Sequence, residues 1–443
     1  MLEARRQKST QVERVQTQRG ETPRECPRDE AANPHHANQR TGPAPPQATP
    51  GGLLERALGR ENLQAAWAKV KANRGAAGVD GLDIAQSAQM LKTHWPQIRA
   101  QLLQDKYRPS PVRKVTIPKP DGSQRELGIP TVVDRLIQQA LLQVLQPRID
   151  PTFSKHSYGF RPGRRAQDAV KAAQAYVQAG RGWVVDVDLE KFFDRVNHDI
   201  LIERLKRHID DAGVIRLIRA YLNAGIMDQG VVQEREQGTP QGGPLSPLLA
   251  NILLDDVDKE LERRAHCFAR YADDCNVYVR SQRAGERVMD ALRGMYAKLR
   301  LTVNEAKSAV ARVTGRKFLG FSFWFNQTGT RCRVADKAMK TFKQRIRQLT
   351  RRSGGRSMGQ VVDKLRPYLL GWKAYFKLAQ TPGVFRTLDE WIRRRLRTLQ
   401  LKHYRRGKTM YRELTKLGAR ECYARSVASN PTRWWHNGRG DIN

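Results

Sequence analysis

The sequence predicts an α+β fold, with sheet-forming segments first and a purely helical region last. Three observations point there. "GWVVDVDL" (182–189) alternates with period two, and in "RYADDCNVYVRS" (270–281) strand-forming residues flank two aspartates, so both read as strand. In 112–131 a turn signal, Pro120-Asp121-Gly122, lies between two strand-like arms, as in a hairpin. Beyond residue 336 the apolar residues recur at helical spacing.

The 443 residues allow two or three domains with a sizeable core. Residues 1–52 are rich in Pro, Gln, Arg, Thr and Glu and nearly free of large apolar side chains, so they read as a disordered polar extension ending in the linker "TGPAPPQATPGG". Residues 53–105 carry short helical patterns, such as Leu63, Trp67 and Val70, interrupted by the Gly-rich "NRGAAGVDG". The 112–131 hairpin places Lys119 and Arg125 on opposite arms near its tip. "GWVVDVDLEKFFDRVNHDIL" (182–201) starts as a strand and turns helical. Alternation sets Val184, Asp186 and Asp188 on one face, and Val185, Val187 and Leu189 on the other. "PLSPLLANILLDDVDKELERR" (244–264) is a helix with the stripe Leu245, Leu249, Ile252, Leu253 and Val257. A hairpin then carries Asp273 and Asp274 at its turn. The last hundred residues give two further stripes: Leu365, Leu369, Trp372, Phe376, and Leu388, Trp391, Ile392, Leu396, Leu399. They read as a helical bundle with a packed inner face and a basic outer one.

Charge narrows the partner. The chain has 80 Lys and Arg against 44 Asp and Glu, a formal charge of +36. Residues 336–443 alone hold 27 basic and 7 acidic side chains. Such a surplus suits a polyanion, because each cation beside a phosphate releases counterions. An anionic membrane is the rival, but no apolar run approaches the ~20 residues of a span. "MLEARRQKST" also lacks the apolar core of a signal peptide. Nucleic acid is the favoured partner. The five cysteines (26, 267, 275, 332, 422) are scattered, with no Cys-x-x-Cys metal pair. They suit reduced thiols in an intracellular protein.

Two adjacent acids are unusual in so basic a chain. Asp favours turns for its own hydrogen bonds, so Asp273-Asp274 alone is an ordinary turn. The strand carrying Asp188, 85 residues upstream, changes this. An acid in an apolar strand is costly unless it is paired or holds a metal. If the two strands are neighbours, three carboxylates converge and repel. Mg²⁺ resolves the repulsion, since it takes carboxylate oxygens together with substrate phosphate. Two such ions about 4 Å apart clamp the attacking and leaving oxygens of a phosphoryl transfer.

At this point the residues resemble a known family. "YADD" is similar to the central motif of reverse transcriptases, "DVDLEKFFDRVNH" to the strand with their first catalytic Asp, and "GTPQGGPLSPLLANILLDDVD" (238–258) to their Gln-Gly motif. "SYGFRPGRRAQDAV" and "LGIPTVVDR" resemble the form these enzymes take in group II introns. "FLGFSF" (318–323) resembles a strand beyond the active site, and "LRPYLLGWKAYF" (365–376) the start of the maturase, or thumb, region. Seven motifs in the expected order, across roughly 53–425, identify the chain as a group II intron-encoded reverse transcriptase/maturase.

The resemblance implies a right-hand polymerase. It assigns 53–105 to an N-terminal helical extension, 106–325 to fingers and palm with an antiparallel sheet, 336–425 to an α-helical thumb/maturase domain and 426–443 to a short tail. Asp188, Asp273 and Asp274 would bind two Mg²⁺ ions, with Mn²⁺ able to substitute. The spacing Asp-x-x-x-x-Phe-Asp fits Asp188, Phe193 and Asp194, which selects Asp188 over Asp186. Phe193 would lie under the incoming sugar and exclude a 2′-hydroxyl; the alternative is that Phe192 and Phe193 are both core. Gln241 and Gly242 would contact nucleotide and template. Lys119 and Arg125 would neutralise the triphosphate, and Lys307 would stand near the primer. Arg161 would brace the palm. Trp372, Tyr375, Trp391 and Tyr404 either stack on bases or pack the bundle. Implied partners are dNTPs, an RNA template with DNA primer, intron RNA and a DNA target site; a homodimer is compatible. The setting would be the bacterial cytoplasm, without membrane.

Many members continue into a DNA-binding segment and a cysteine-rich HNH endonuclease. This sequence resembles the short bacterial class C form, which would prime from DNA already available. Two other readings share the residues. A maturase without catalysis gains nothing from intact Asp188, Asp273 and Asp274. A retron- or CRISPR-associated reverse transcriptase is the second; "VTG" (313–315) fits a retron, but no Asn-Ala-x-x-His segment accompanies it and the basic thumb is long.

Overall fold

A capping box opens the longest helix of the N-terminal part. Asp83 Oδ1 accepts from the Gln86 N–H at 2.8 Å, and Gln86 Oε1 accepts from the Asp83 N–H at 3.0 Å. The computed structural model describes residues 52–432 and 437, apart from 119–121, 123, 229, 230, 234–236, 240, 241, 328 and 353. The polar segment 1–51, nearly all of the 426–443 tail beyond 432, Lys119 and Gln241 therefore lie outside the described residues. Helices α1 (Leu53–Ala57), α2 (Arg60–Ala72) and α3 (Ile84–Leu103) come first. Ala66 and Val70 of α2 are buried, and Leu63 and Trp67 pack beside them. Their partners, Leu136 and Ala140, lie on α4 (Val132–Ile149).

Between α3 and α4 runs the expected hairpin. Strands β1 (Val112–Pro118) and β2 (Gln124–Ile129) pair antiparallel, with Ile117 opposite Arg125. Helix α4 is capped by Thr131, whose Oγ1 accepts from the Asp134 N–H. After α5 (Ala166–Gln178) come β3 (Trp183–Val187), α6 (His198–Lys206), α7 (Ala212–Asn223), β4 (Ile226–Asp228) and β5 (Val231–Gln233). Helix α8 (Ser246–Arg263) leads into the hairpin β6 (Cys267–Tyr271) and β7 (Asp274–Val279). Helix α9 (Gln282–Lys298), β8 (Ala309–Arg312), β9 (Lys317–Phe318), β10 (Phe321–Asn326) and β11 (Gly329–Val334) complete the sheet-forming part.

The palm sheet has the order β6-β7-β3-β8 and every pairing is antiparallel. Its register places Val187 opposite Cys275, so the end of β3 meets the start of β7. The fingers sheet, β2-β1-β4-β5, departs from the antiparallel expectation. Strand β1 pairs parallel with β4, Val112 opposite Ile226, because more than a hundred residues separate them and the chain returns in the same direction. The third sheet is β11-β10-β9. A large core joins α4, α6, α7, α8 and α9 to the buried face of β3 and β7, through residues such as Ile137, Val185, Leu253, Val277 and Leu292.

The helical region contains α10 (Asp336–Leu349), α11 (Met358–Phe376), α12 (Pro382–Tyr404), α13 (Gly407–Lys416) and α14 (Glu421–Ser429). Leu365 and Phe376 are buried, and Leu369 and Trp372 pack beside them. The Trp372 ring lies 4.2 Å from that of Phe342. Tyr375 donates to the Leu319 carbonyl at 3.0 Å, and Tyr404 joins a small core of Leu401, Met410, Leu414 and Val427. Trp391 is flanked by Arg347 and Arg395. The thumb aromatics thus pack within the bundle. Among the described residues, no helix is long and apolar enough to cross a membrane.

Helix α9 approaches the palm sheet closely at Gly285. A Cβ there would stand 2.4 Å from Val310 Cγ1 and 3.4 Å from a Val279 methyl. Gly285→Leu should therefore destabilise the chain by about 1–3 kcal/mol, the usual cost of overpacking, read as a lowered urea midpoint.

Candidate active site

Strand β3 ends at Val187, and Asp188 is the next residue. Its backbone is held in place by the segment before β8. The Asp188 N–H donates to Ser308 Oγ at 3.0 Å, and the Asp188 carbonyl accepts from the Asn304 N–H at 2.8 Å. Across the sheet, Ala272 and Asp273 form the β6–β7 turn, and Asp274 pairs with Tyr271 as the first residue of β7. Asp186, Asp188, Asp273 and Asp274 all line one cleft of about 760 Å³. Lys307, Arg316, Lys317, Arg333 and Lys337 line it too.

These four carboxylates, with Asp336 also on the lining, repel one another, and burial adds to the cost of their charge. Burial raises Asp274 from its ordinary 3.8 to about 7, and the Asp186 and Asp273 carboxylates push the same way. Asp273 is raised by burial and by Asp188, against the pull of Arg125 and Arg270. Arg125 of the fingers hairpin therefore acts on a palm carboxylate. Asp186 is raised by burial despite its own partner, Arg316, whose Nη2 lies 2.6 Å from Asp186 Oδ2. Arg316 Nη2 also donates to the Lys307 carbonyl at 2.7 Å. The Lys307 ammonium stands 3.8 Å from Asp188 Oδ2.

Phe193, Gly242 and Arg161 are not among the residues that line this cleft. Phe192 is buried and Phe193 half-buried, their rings edge-on at 5.0 Å. The Phe193 carbonyl accepts from the Thr239 N–H at 2.7 Å, which ties it to the Gln-Gly segment. Gly242 has φ 142°, and a Cβ there would stand 2.6 Å from the Gly128 carbonyl oxygen. Only glycine lets that loop lie against β2. Arg161 is buried on Asp150 at 2.9 Å and donates to the Ser154 and Ser157 carbonyls, so it braces its own loop.

Residues 117–323 match the family model described as reverse transcriptase (RNA-dependent DNA polymerase), and residues 339–418 match the group II intron, maturase-specific domain. The two matches together take in more than half of the chain. Protein YkfC of Escherichia coli (strain K12) is 32% identical over 284 residues, which cover 55% of this chain and 74% of YkfC. The chain belongs to the group II intron reverse transcriptase/maturase family. Group II intron-encoded protein LtrA of Lactococcus lactis subsp. cremoris is 40% identical over 154 residues, covering 34% of this chain but only 26% of LtrA. A chain of a solved partial Cas6-RT-Cas1–Cas2 complex is 28% identical and covers 60% of this chain and 46% of its own, with a TM-score of 0.37. As a family member the protein is an RNA-directed DNA polymerase of mixed sheet and helix, with a helical maturase region.

Reverse transcriptases use divalent metal ions. The donor set of the cleft suits one, since a bound cation relieves the carboxylate repulsion. Among the described residues, no three His, Cys, Asp or Glu side chains form a group that could hold an ion by themselves. Mg²⁺ typically sits on one or two carboxylates and completes its shell with water and substrate phosphate, so the substrate supplies what the protein does not.

Residue reading missed the Asp186–Arg316 pair and the cations Lys317 and Lys337 of this reverse transcriptase. Alternation did place Asp186 on the face of Asp188. Nothing local connects Asp186 to a residue 130 positions later.

The raised Asp274 value has a consequence for metal-free protein. The folded state holds this proton more tightly than the unfolded chain. Its contribution to stability is thus fully present below 3.8 and is lost as pH rises through about 7. Asp274→Asn should make metal-free protein more stable relative to wild type at about pH 8 than at about pH 5, read from urea midpoints. Added Mg²⁺ should narrow the difference at the higher pH.

Proposed function

We propose that this enzyme copies intron RNA into DNA by extending the 3′-hydroxyl of a DNA primer with dNTPs. The reading is carried by the convergence of Asp188, Asp273 and Asp274 in one cleft that also holds Lys307 and is reached by Arg125. Asp188, Asp273 and Asp274 would hold two Mg²⁺ ions, for which Mn²⁺ could substitute. Bound there, the ions would favour the primer alkoxide and stabilise charge on the departing pyrophosphate. The protein's own groups do the positioning. Arg125, together with Lys119, neutralises the incoming triphosphate. Lys307 supplies positive charge beside Asp188 on the primer side. Phe193 forms the floor under the sugar and leaves no room for a 2′-hydroxyl. Gln241 and Gly242 contact the nucleotide and template.

The basic helices hold the template–primer duplex and intron RNA, and so couple cDNA synthesis to splicing and to insertion at a DNA target. The maturase-specific match at 339–418 supports this over a retron- or CRISPR-type enzyme. A cytoplasmic, nucleic-acid-associated location and a homodimer are compatible with this role.

Purified protein with an RNA template, an annealed DNA primer, dNTPs and Mg²⁺ should extend the primer. Asp273→Ala should abolish extension and leave template–primer affinity unchanged. RNA binding that collapsed together with activity would mean that the substitution acts on folding. Tight RNA binding without extension by wild type would move the reading to a splicing-only maturase. Phe193→Ala should raise ribonucleotide incorporation relative to deoxynucleotide by on the order of tenfold or more, the scale at which a steric pocket discriminates.

A further inference from the structure

The β6–β7 turn contains a residue in a conformation that L-amino acids rarely adopt. Ala272 has φ 60°, the left-handed region, immediately before Asp273. A side chain there disfavours the turn unless neighbours hold it. Those neighbours are buried polar groups that the reaction itself does not use. Arg270 is 1% exposed, yet its Nη1 turns back along the chain and donates to the Ala272 carbonyl at 2.8 Å. The same Nη1 donates to Asn251 Oδ1 at 3.0 Å. Asn251, also 1% exposed, donates through Nδ2 to the Gly159 carbonyl at 2.9 Å. Asp258 and Ser157 accept the remaining Arg270 N–H groups: Nε donates to Asp258 Oδ1 at 2.8 Å, and Nη2 to Ser157 Oγ at 2.8 Å and to Asp258 Oδ2 at 2.5 Å.

Gly159 closes the arrangement. A Cβ on it would stand 2.1 Å from the Ala272 nitrogen and 2.8 Å from the Tyr271 carbonyl carbon. Bare backbone thus lies against the turn. Its loop is joined to β6 by the Tyr158 N–H to the Arg270 carbonyl at 2.8 Å and the Arg270 N–H to the His156 carbonyl at 3.0 Å. Asn251, Asp255 and Asp258 fall at i, i+4 and i+7 on α8, one stripe facing loop and turn. Asp255 accepts from the Ser154 N–H at 3.1 Å.

We propose that Asn251, Arg270 and Gly159 are positioning residues for polymerisation: they clamp the left-handed peptide at Ala272 and so fix where Asp273 and Asp274 stand. An Arg–Asp pair needed only for core stability has no reason to spend a hydrogen bond on the carbonyl next to the reacting carboxylates. The proposal rests on the polymerase reading for its consequence, and on hydrogen-bond geometry for its content.

The test uses the full chain as wild type, Asn251→Ala, Gly159→Ala, and Asn251→Ala combined with Ala272→Gly. Single-turnover primer extension, dNTP KM, template–primer affinity and amide hydrogen exchange at 271–275 are measured. Asn251→Ala should slow extension on the order of a hundredfold, the loss that an ångström-scale shift of a reacting group produces. KM and template–primer affinity should hold, and exchange should accelerate at 271–275 alone. Adding Ala272→Gly should restore part of the rate, because glycine takes left-handed backbone without strain. If Asn251→Ala does not fold, Gly159→Ala tests the same contact, since its methyl group presses on the turn backbone. An unchanged rate overturns the proposal. So does a slowed rate that Ala272→Gly leaves untouched while protection falls across the whole palm. If wild type extends no primer, the polymerase reading falls instead, and the exchange data judge the clamp alone: protection kept at 271–275 in Asn251→Ala removes it.

Discussion

Asp186, Asp188, Asp273 and Asp274 repel one another across the end of the palm sheet, and most of the surrounding structure answers that repulsion. Two unit charges 4 Å apart interact by about 4 kcal/mol at the effective dielectric of a protein surface. Four ionised carboxylates in one cleft therefore need positive charge close by. Arg316 supplies it to Asp186, Lys307 to Asp188, and Arg125 to Asp273. Lys317 lowers both Asp186 and Asp274, but only in part. Asp274 is pushed up to about 7, chiefly because it sits deepest, with repulsion from Asp186 and Asp273 added. Arg125 comes from the fingers hairpin and the other three cations from the 304–317 segment, so the charge balance of the cleft needs both stretches beside the palm sheet.

The cost of burying charge recurs beneath the site. Arg270 and Asp258 are both removed from water, and burial opposes the charge of each. The Asp258 carboxylate more than offsets this for Arg270 and keeps it protonated. A buried ion pair of this kind is weak as a source of stability, since apolar residues of equal volume often serve as well. Its value lies in direction. A guanidinium offers five donors in a fixed plane, and here they reach a carboxylate, a carboxamide, a hydroxyl and a turn carbonyl at once. Leucine would fill the space but specify no turn.

The strands and helices were legible because their side chains repeat with the period of the element. Val184, Asp186 and Asp188 share a face by alternation, and the stripes at Leu365–Phe376 and Leu388–Leu399 mark helices that form. The convergence of Asp188 with Asp273 and Asp274 followed from one added condition, that their strands are neighbours, and β3 does pair with β7. What periodicity could not carry is pairing at long range. The parallel contact of β1 with β4, the Arg316 bridge to Asp186 and the approach of Gly159 to Ala272 join segments a hundred residues or more apart. The polar stripe Asn251, Asp255, Asp258 was visible as letters, but without partners it resembles any solvated helix face. The thumb aromatics show the opposite limit. Rings among arginines fit base stacking as well as packing, and only the Trp372–Phe342 and Tyr375–Leu319 contacts decide for packing.

The division of charge along the chain fits the proposed chemistry. A surplus of +36 draws a polyanion, yet the candidate reacting centre gathers acids. Uncompensated, that cluster would repel the very phosphates it must handle. At physiological ionic strength its field is screened beyond about 8 Å, so it acts on the reacting phosphates and barely on a duplex held by the basic helices. Affinity and chemistry are thereby separated in space. On the proposed reading the helices and hairpin would bind nucleic acid whether or not a cation occupies the cleft, and the carboxylates would admit a triphosphate only when one does. Divalent dependence would then belong to the step rather than to binding, because the repulsion that the cation would remove lies where the proposed new bond forms.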